Sequence, residues 1–232
     1  STNGTDLWDA AEAIGICAVG AATVINSETG VISANSDYLG FGIYADEGVL
    51  PKLSIQKSDE EWHPSVVNTG TIYMDAQTGA GIAIGSGVWD VYNPGFIYTS
   101  NDVRTFSVGD VWYYENGSEI NFLNRNGAYA RLVDDFRIIF NGDPEGEDGA
   151  YVPQILVGLN GHLDLNDATL VAQAGKNIAW NTPYRVIENQ DGYIGGEFAA
   201  LDNPNPNINV SWVDSDETGT DAEVVFSYDP QG

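Results

Sequence analysis

Apolar runs in this chain are short, and each is soon closed by a cluster of Gly, Asn, Asp or Pro. Runs of that length, with apolar and polar residues alternating, fit strands rather than helices. Phe136, Ile138 and Phe140 share one strand face, and Arg137 falls on the other. The same reading predicts strands over 14–25, 31–34, 38–44, 53–56, 66–74, 81–84, 88–92, 103–108, 111–115, 120–123, 129–133 and 136–140. Further strands are predicted over 152–157, 169–172, 184–187, 192–198, 208–213 and 224–228. Asn116-Gly117 favours the tight turn of a hairpin. One helix is predicted, over 6–13, with Thr5 as its N-cap. Many short strands with almost no helix predict an all-β fold, a jelly-roll β-barrel or sandwich.

The strands outnumber the eight of one jelly roll, which predicts an additional small β-module. The stretch 141–149, Asn-Gly-Asp-Pro-Glu-Gly-Glu-Asp-Gly, is the most linker-like in the chain. It divides a mainly jelly-roll part, 1–141, from the remaining strands and the second module, 142–232, with room for the two to interleave. No internal repeat is evident. A chain of 232 residues that is 43% hydrophobic can build a core without staples.

Charge excludes several functions. There are 34 acidic residues against 8 Lys and Arg, a net charge of −26. The only lysines are Lys52, Lys57 and Lys176. In dilute buffer such a surface repels itself. At molar salt the Debye length falls to about 3 Å and the repulsion is screened, so the composition predicts salt adaptation. The same surface repels polyanions, which argues against direct nucleic-acid binding. The longest apolar run, 14–25, is too short to span a bilayer. The opening Ser1-Thr2-Asn3-Gly4 fits a start exposed by loss of an initiator Met, and a cleaved secreted protein would look the same.

Catalytic motifs are lacking. His63 and His162 are the two histidines, and neither belongs to a metalloprotease pattern. His162 and Asp164 could share a strand face and hold a metal, although a structural role in loops is the simpler expectation. Ser86 lies in Gly85-Ser86-Gly87 without the nucleophile-elbow pattern or a nearby base. The chain is therefore read as non-enzymatic and without a cofactor. The run Asp214-Ser215-Asp216-Glu217-Thr218-Gly219 resembles the start of a calcium loop, with Asp214, Asp216 and Thr218 as oxygen donors. It departs from that pattern at Thr218 and at Val225, where the bidentate Glu is missing. Unspecific cation binding, or a solvated acidic loop, is the alternative. Cys17 is the single cysteine, so it is either a small buried apolar residue or one half of an intermolecular disulfide. Trp89, Trp112 and Tyr113 are candidates for an aromatic binding face or for the core.

Whole-chain character adds a resemblance. It is carried by the opening STNGTDLWDAAEAIGICAVGAA, by the aromatic, Gly-rich GVWDVYNPGFIY and DVWYYENGSEINFL, and by the acidic tail WVDSDETGTDAEVVFSYDPQG. In these the chain resembles the larger of the two small major capsid proteins of haloarchaeal, membrane-containing icosahedral viruses, the sphaerolipovirus group. The resemblance implies a jelly roll standing upright in the capsid, with an extra β-domain as a tower. It implies a structural subunit of the virion capsid, assembled in the host cytoplasm. Its partners would be like and unlike capsid subunits in homo- and hetero-oligomeric capsomers, near an internal viral membrane but not inserted in it. A secreted cell-surface or carbohydrate-binding β-sandwich is the alternative.

Overall fold

The computed structural model describes residues 13–20, 22–46, 65–100, 102–110, 112–115, 118–121, 127–142, 144, 151–214 and 221–228. The described chain winds in successive coils. The first coil contributes β1 (Ala13–Val19), β2 (Thr23–Asn26) and β3 (Val31–Asn35), and the second β4 (Leu39–Asp46), β5 (Ser65–Asn68) and β6 (Thr71–Asp75). The third contributes β7 (Thr78–Ile84), β8 (Gly87–Asn93) and β9 (Phe96–Thr99). The fourth opens with β10 (Asp102–Val108) and carries a hairpin, β11 (Trp112–Glu115) and β12 (Ser118–Asn121), before the long β13 (Ala128–Phe140). Then come β14 (Ile155–Val157), β15 (Gly161–Asp164) and β16 (Thr169–Ala174), followed by β17 (Pro183–Arg185). The last coil has β18 (Ile187–Asn189), β19 (Tyr193–Gly195) and β20 (Ala200–Asp202), and β21 (Ile208–Trp212) and β22 (Glu223–Tyr228) end the described chain.

Like strands of successive coils pair in parallel. The first sheet runs β1-β4-β7-β10-β14-β18, and the second β2-β5-β8-β13-β15-β19. A third begins β3-β6-β9, and the far half of β13 continues with β16 and β20. Ala13 lies beside Gly40, Gly40 beside Gly79, and Val103 beside Gly79 in turn. This is a parallel β-helix, in which each coil buries its inner face only by stacking on its neighbours. The all-β expectation holds. The jelly roll does not describe these sheets, because a jelly roll is antiparallel and the coil strands are parallel. Only β11-β12 and β17-β22-β21 pair antiparallel among the named strands.

The strands on either side of 141–149 belong to the same sheets, since β14 pairs with β10 and β16 with β13. One core fills the coils. Trp89, Phe106, Phe136 and Phe140 lie in it, and so do Tyr184 and Phe226 of the antiparallel set at the end. Strands β4 and β7 are buried on both faces, as parallel strands usually are. Outside the first sheet, Leu39, Phe41, Tyr44 and Leu156 form a second cluster against which Cys17 packs.

The coils do carry a repeat. Gly15-Ile16-Cys17-Ala18, Gly42-Ile43-Tyr44-Ala45 and Gly81-Ile82-Ala83-Ile84 occupy equivalent places in the first sheet. Val67-Asn68-Thr69-Gly70-Thr71-Ile72 and Tyr92-Asn93-Pro94-Gly95-Phe96-Ile97 turn the corner from the second sheet to the third. The repeat escapes sequence inspection because the coils differ in length. The apolar run 14–25 is two strands, broken at Gly20, whose φ of +87° few other residues tolerate. The predicted helix lies outside the described residues except for Ala13, which opens β1.

Candidate functional site

The register of the second sheet places a row of side chains on its outer face. Val88 lies beside Tyr129, Tyr129 beside His162, and His162 beside Tyr193. The rings of Tyr129 and His162 are 4.4 Å apart between centroids, as are those of His162 and Tyr193. Val88 is 40% exposed and Tyr193 60%. Two residues further along each strand runs a charged row, Asp90, Arg131 and Asp164. Arg131 grips Asp90 with two hydrogen bonds, from Nε at 2.9 Å and from Nη2 at 2.8 Å. Such a planar fork is stronger than a point contact. The Tyr129 hydroxyl donates to Asp164 at 2.8 Å and ties the two rows together.

Burial pushes the Tyr129 phenol pKa up, and its hydrogen bond to Asp164 adds to the shift. The hydrogen bond to Asp90 raises Arg131 most. Burial pushes His162 below its ordinary value, against a smaller opposing pull from Asp164. His162 lies as a partly buried ring between two phenols. A shallow cleft of about 270 Å³, lined by Val88, Asp90, Tyr129 and Arg131, opens beside the rows.

His162 and Asp164 share the outer face of β15, as their spacing predicts, and lie on a strand rather than in a loop. Among the described residues no group of three His, Cys, Asp or Glu side chains is placed to hold a metal. Asp214 is exposed, while Asp216 and Thr218 lie outside the described residues. His63 and the acids of 145–148 also lie outside them. Ser86 is buried and donates its hydroxyl to Asp46. Trp89 cannot serve an aromatic binding face, since it is fully buried and donates its indole N–H to the Ser86 carbonyl at 2.8 Å. The side chains of Trp112 and Tyr113 lie outside the described set. Cys17 is half-buried, and burial, then Asp46, push its thiol pKa up. That shift disfavours the thiolate on which disulfide exchange depends.

Sequence reasoning missed Tyr129, Arg131, Asp90 and Tyr193. Each stands alone in the chain, and only the coil register sets them side by side. The Asn-x-Gly corners align only the coils of β5 and β8, so no sequence signal sets Tyr129, His162 and Tyr193 in register.

No protein-family model, no curated protein and no solved structure matches this chain.

Proposed function

We propose that this protein is a non-catalytic structural subunit that assembles with other protein subunits through the outer face of its second sheet. The observation that carries this reading is the exposed row Val88-Tyr129-His162-Tyr193, set in a chain of net charge −26. Interfaces are enriched in aromatic residues and Arg, and this face offers both, with Asp90 and Asp164 already engaged by Arg131 and Tyr129. The coat of a haloarchaeal virus is the assembly proposed, with like and unlike coat subunits as partners and the virion as the place. The jelly roll that the resemblance implies lends this placement no support, because the coils are parallel. It rests on whole-chain sequence character. The subunit works at molar salt without a cofactor, and any cations it holds are unspecific.

Mass spectrometry of purified haloarchaeal virions tests the placement, and peptides of this chain among the abundant coat proteins are the expected result. Light scattering in molar KCl tests the face. Tyr193→Ser should lower the assembled fraction while leaving the circular dichroism spectrum unchanged. Salt adaptation predicts a melting temperature that falls as KCl is lowered towards 0.01 M, where the Debye length reaches about 30 Å. An unchanged melting temperature would overturn that part of the reading.

A further inference from the structure

The outer face of the third sheet carries a different feature, a cleft of about 450 Å³. Ligand sites commonly run from about 300 to 1,000 Å³. Phe96, Arg137 and Gln173 form its floor, and the loop of Asn203, Pro204, Asn205 and Pro206 its wall.

The cleft is lined with unused donors. Arg137 lies over the Phe96 ring, its Cζ 4.7 Å from the centroid. Its Nε donates to the Pro94 carbonyl at 2.8 Å and its Nη1 to Gln173 Oε1 at 2.9 Å. That second bond identifies the Gln173 oxygen, so its Nε2 is left as a donor. Asn205 Oδ1 accepts from the Asn207 amide at 3.0 Å, which leaves the Asn205 Nδ2 as a donor too. Among the described residues, Arg137 Nη2, Gln173 Nε2 and Asn205 Nδ2 have no hydrogen-bond partner. The remaining amide, Asn203, is engaged at both ends, donating to the Ile208 carbonyl and accepting from the Asn205 amide.

Arg137 also has no carboxylate within ion-pair distance among the described residues, whereas Arg104, Arg131 and Arg185 each have one. In a chain with 34 acids, an arginine in a cleft without one is unusual. Burial pushes its pKa down, and Asp135 and Asp202 act on it only as more distant charges.

The wall is fixed in advance. The Asn203 amide donates to Asp202 Oδ1, the Asn205 amide to Asn203 Oδ1, and the Asn207 amide to Asn205 Oδ1. These local side-chain turns alternate with two prolines whose φ is fixed, so little freedom remains to be lost on binding.

We propose that this cleft binds an acidic saccharide, with Arg137 Nη2 donating to a sugar carboxylate, the Gln173 and Asn205 amides donating to ring hydroxyls, and Pro204 and Pro206 facing the apolar side of the sugar ring, while Phe96 supports the guanidinium from below. The free Nη2 of the guanidinium gives a carboxylate a charge-assisted hydrogen bond, while the bonds from Nε and Nη1 hold the group in place. One cation beside Asp135 and Asp202 balances a single negative charge, which disfavours a phosphate dianion. Neutral amide donors suit hydroxyls. The proposal is independent of the assembly face, which lies on another sheet.

The test uses the whole chain at constant molar KCl. Tri-galacturonate is titrated while the side-chain amide signals of Gln173 and Asn205 are followed by NMR. Saturable shifts are expected with tri-galacturonate and none with the uncharged trigalactose at the same concentration. Arg137→Lys keeps the charge but loses the Nη2 donor and the bonds to Pro94 and Gln173 that aim it, and should weaken binding at least tenfold. Asn205→Ala changes only the exposed wall and should weaken it about threefold. Four results would each overturn the proposal: no saturable shift, equal binding of trigalactose, equal binding of inorganic phosphate, or parental affinity in Arg137→Lys. If Arg137→Lys loses the parental circular dichroism spectrum, Asn205→Ala decides, and parental affinity there overturns the proposal as well.

Discussion

The first three coils and the later ones turn the same corner, from the second sheet to the third, by different chemistry. In the early coils the corner is made by side chains. Asn26 Nδ2 donates to Asn68 Oδ1 at 2.8 Å, Asn68 Nδ2 to Asn93 Oδ1 at 2.7 Å, and Asn93 Nδ2 to the Arg137 carbonyl at 3.0 Å. Asn68 and Asn93 are fully buried and Asn26 nearly so. A glycine follows each within a few residues, because a Cβ on Gly95 would sit 2.4 Å from the Gly70 carbonyl oxygen. In the later coils the corner is made by backbone. Asp134 has φ +53°, Asn166 +46° and Asp167 +55°. Asn and Asp tolerate that left-handed region better than other side chains.

The difference teaches where cooperativity resides. The asparagine ladder links four coils, so no rung is satisfied without its neighbours, and a half-satisfied buried network is costly. The left-handed residues sit at the surface, and of the three only Asn166 reaches a neighbouring coil, through one bond from its Nδ2 to the Leu132 carbonyl at 3.1 Å. Damage to the ladder should therefore spread, and damage to a later corner should not.

Asn68→Ala tests this most sharply. It removes two buried hydrogen bonds and leaves Asn93 Oδ1 without its donor, so a loss of about 2–4 kcal/mol is expected. Chemical denaturation in molar KCl reads it, and a loss under 1 kcal/mol would equate the two kinds of corner. Cys17→Ala lies in the same early coils but outside the ladder, packed on the outer cluster, and should cost only about 1 kcal/mol. A non-reducing gel of assemblies reads its other role, since a dimer band removed by reductant would reveal an intermolecular bridge. Asp134→Gly relieves a left-handed side chain at an exposed corner and should change stability by less than about 1 kcal/mol, in the stabilising direction.

The smallest effect concerns His162, which belongs to the later coils. Burial holds its folded pKa below the ordinary value of 6.5, so the unfolded chain takes up the proton first. The stability this ring contributes is complete above that value and declines as pH falls below it. The difference in melting temperature between the parent and His162→Gln, followed from pH 7.5 to 5, should shrink on acidification. A constant difference would show that the ring is not desolvated in the folded chain.

Much of the strand content was legible in the residues. Alternation around Phe136, Ile138 and Phe140, and the short runs near 103–108 and 224–228, coincide with β13, β10 and β22. The direction of pairing was not legible. A period of two describes parallel and antiparallel strands equally, and short connections suggest hairpins. Here the chain instead bends into the next sheet of the same coil and meets its parallel partner only one coil later. The run 66–74 shows this: it reads as one strand but splits at Asn68-Thr69-Gly70 into β5 and β6, in different sheets. The outer row was hidden for the same reason, since Val88, Tyr129, His162 and Tyr193 are separated by loops of unequal length.

What the sequence determined by itself is the β-class of the fold, through residue periodicity and frequent turn residues, and the net charge of −26. These are sums over the chain or patterns within a few residues. The tertiary structure alone decided that Asn26, Asn68 and Asn93 form one buried ladder, that a Tyr-His-Tyr row faces outward, and that Arg137 opens into a cleft with no carboxylate in ion-pair distance among the described residues. Each depends on which residue stacks on which across coils. That register is set by the packing of the whole core around Trp89, Phe106 and Phe136, and no local stretch of sequence contains it.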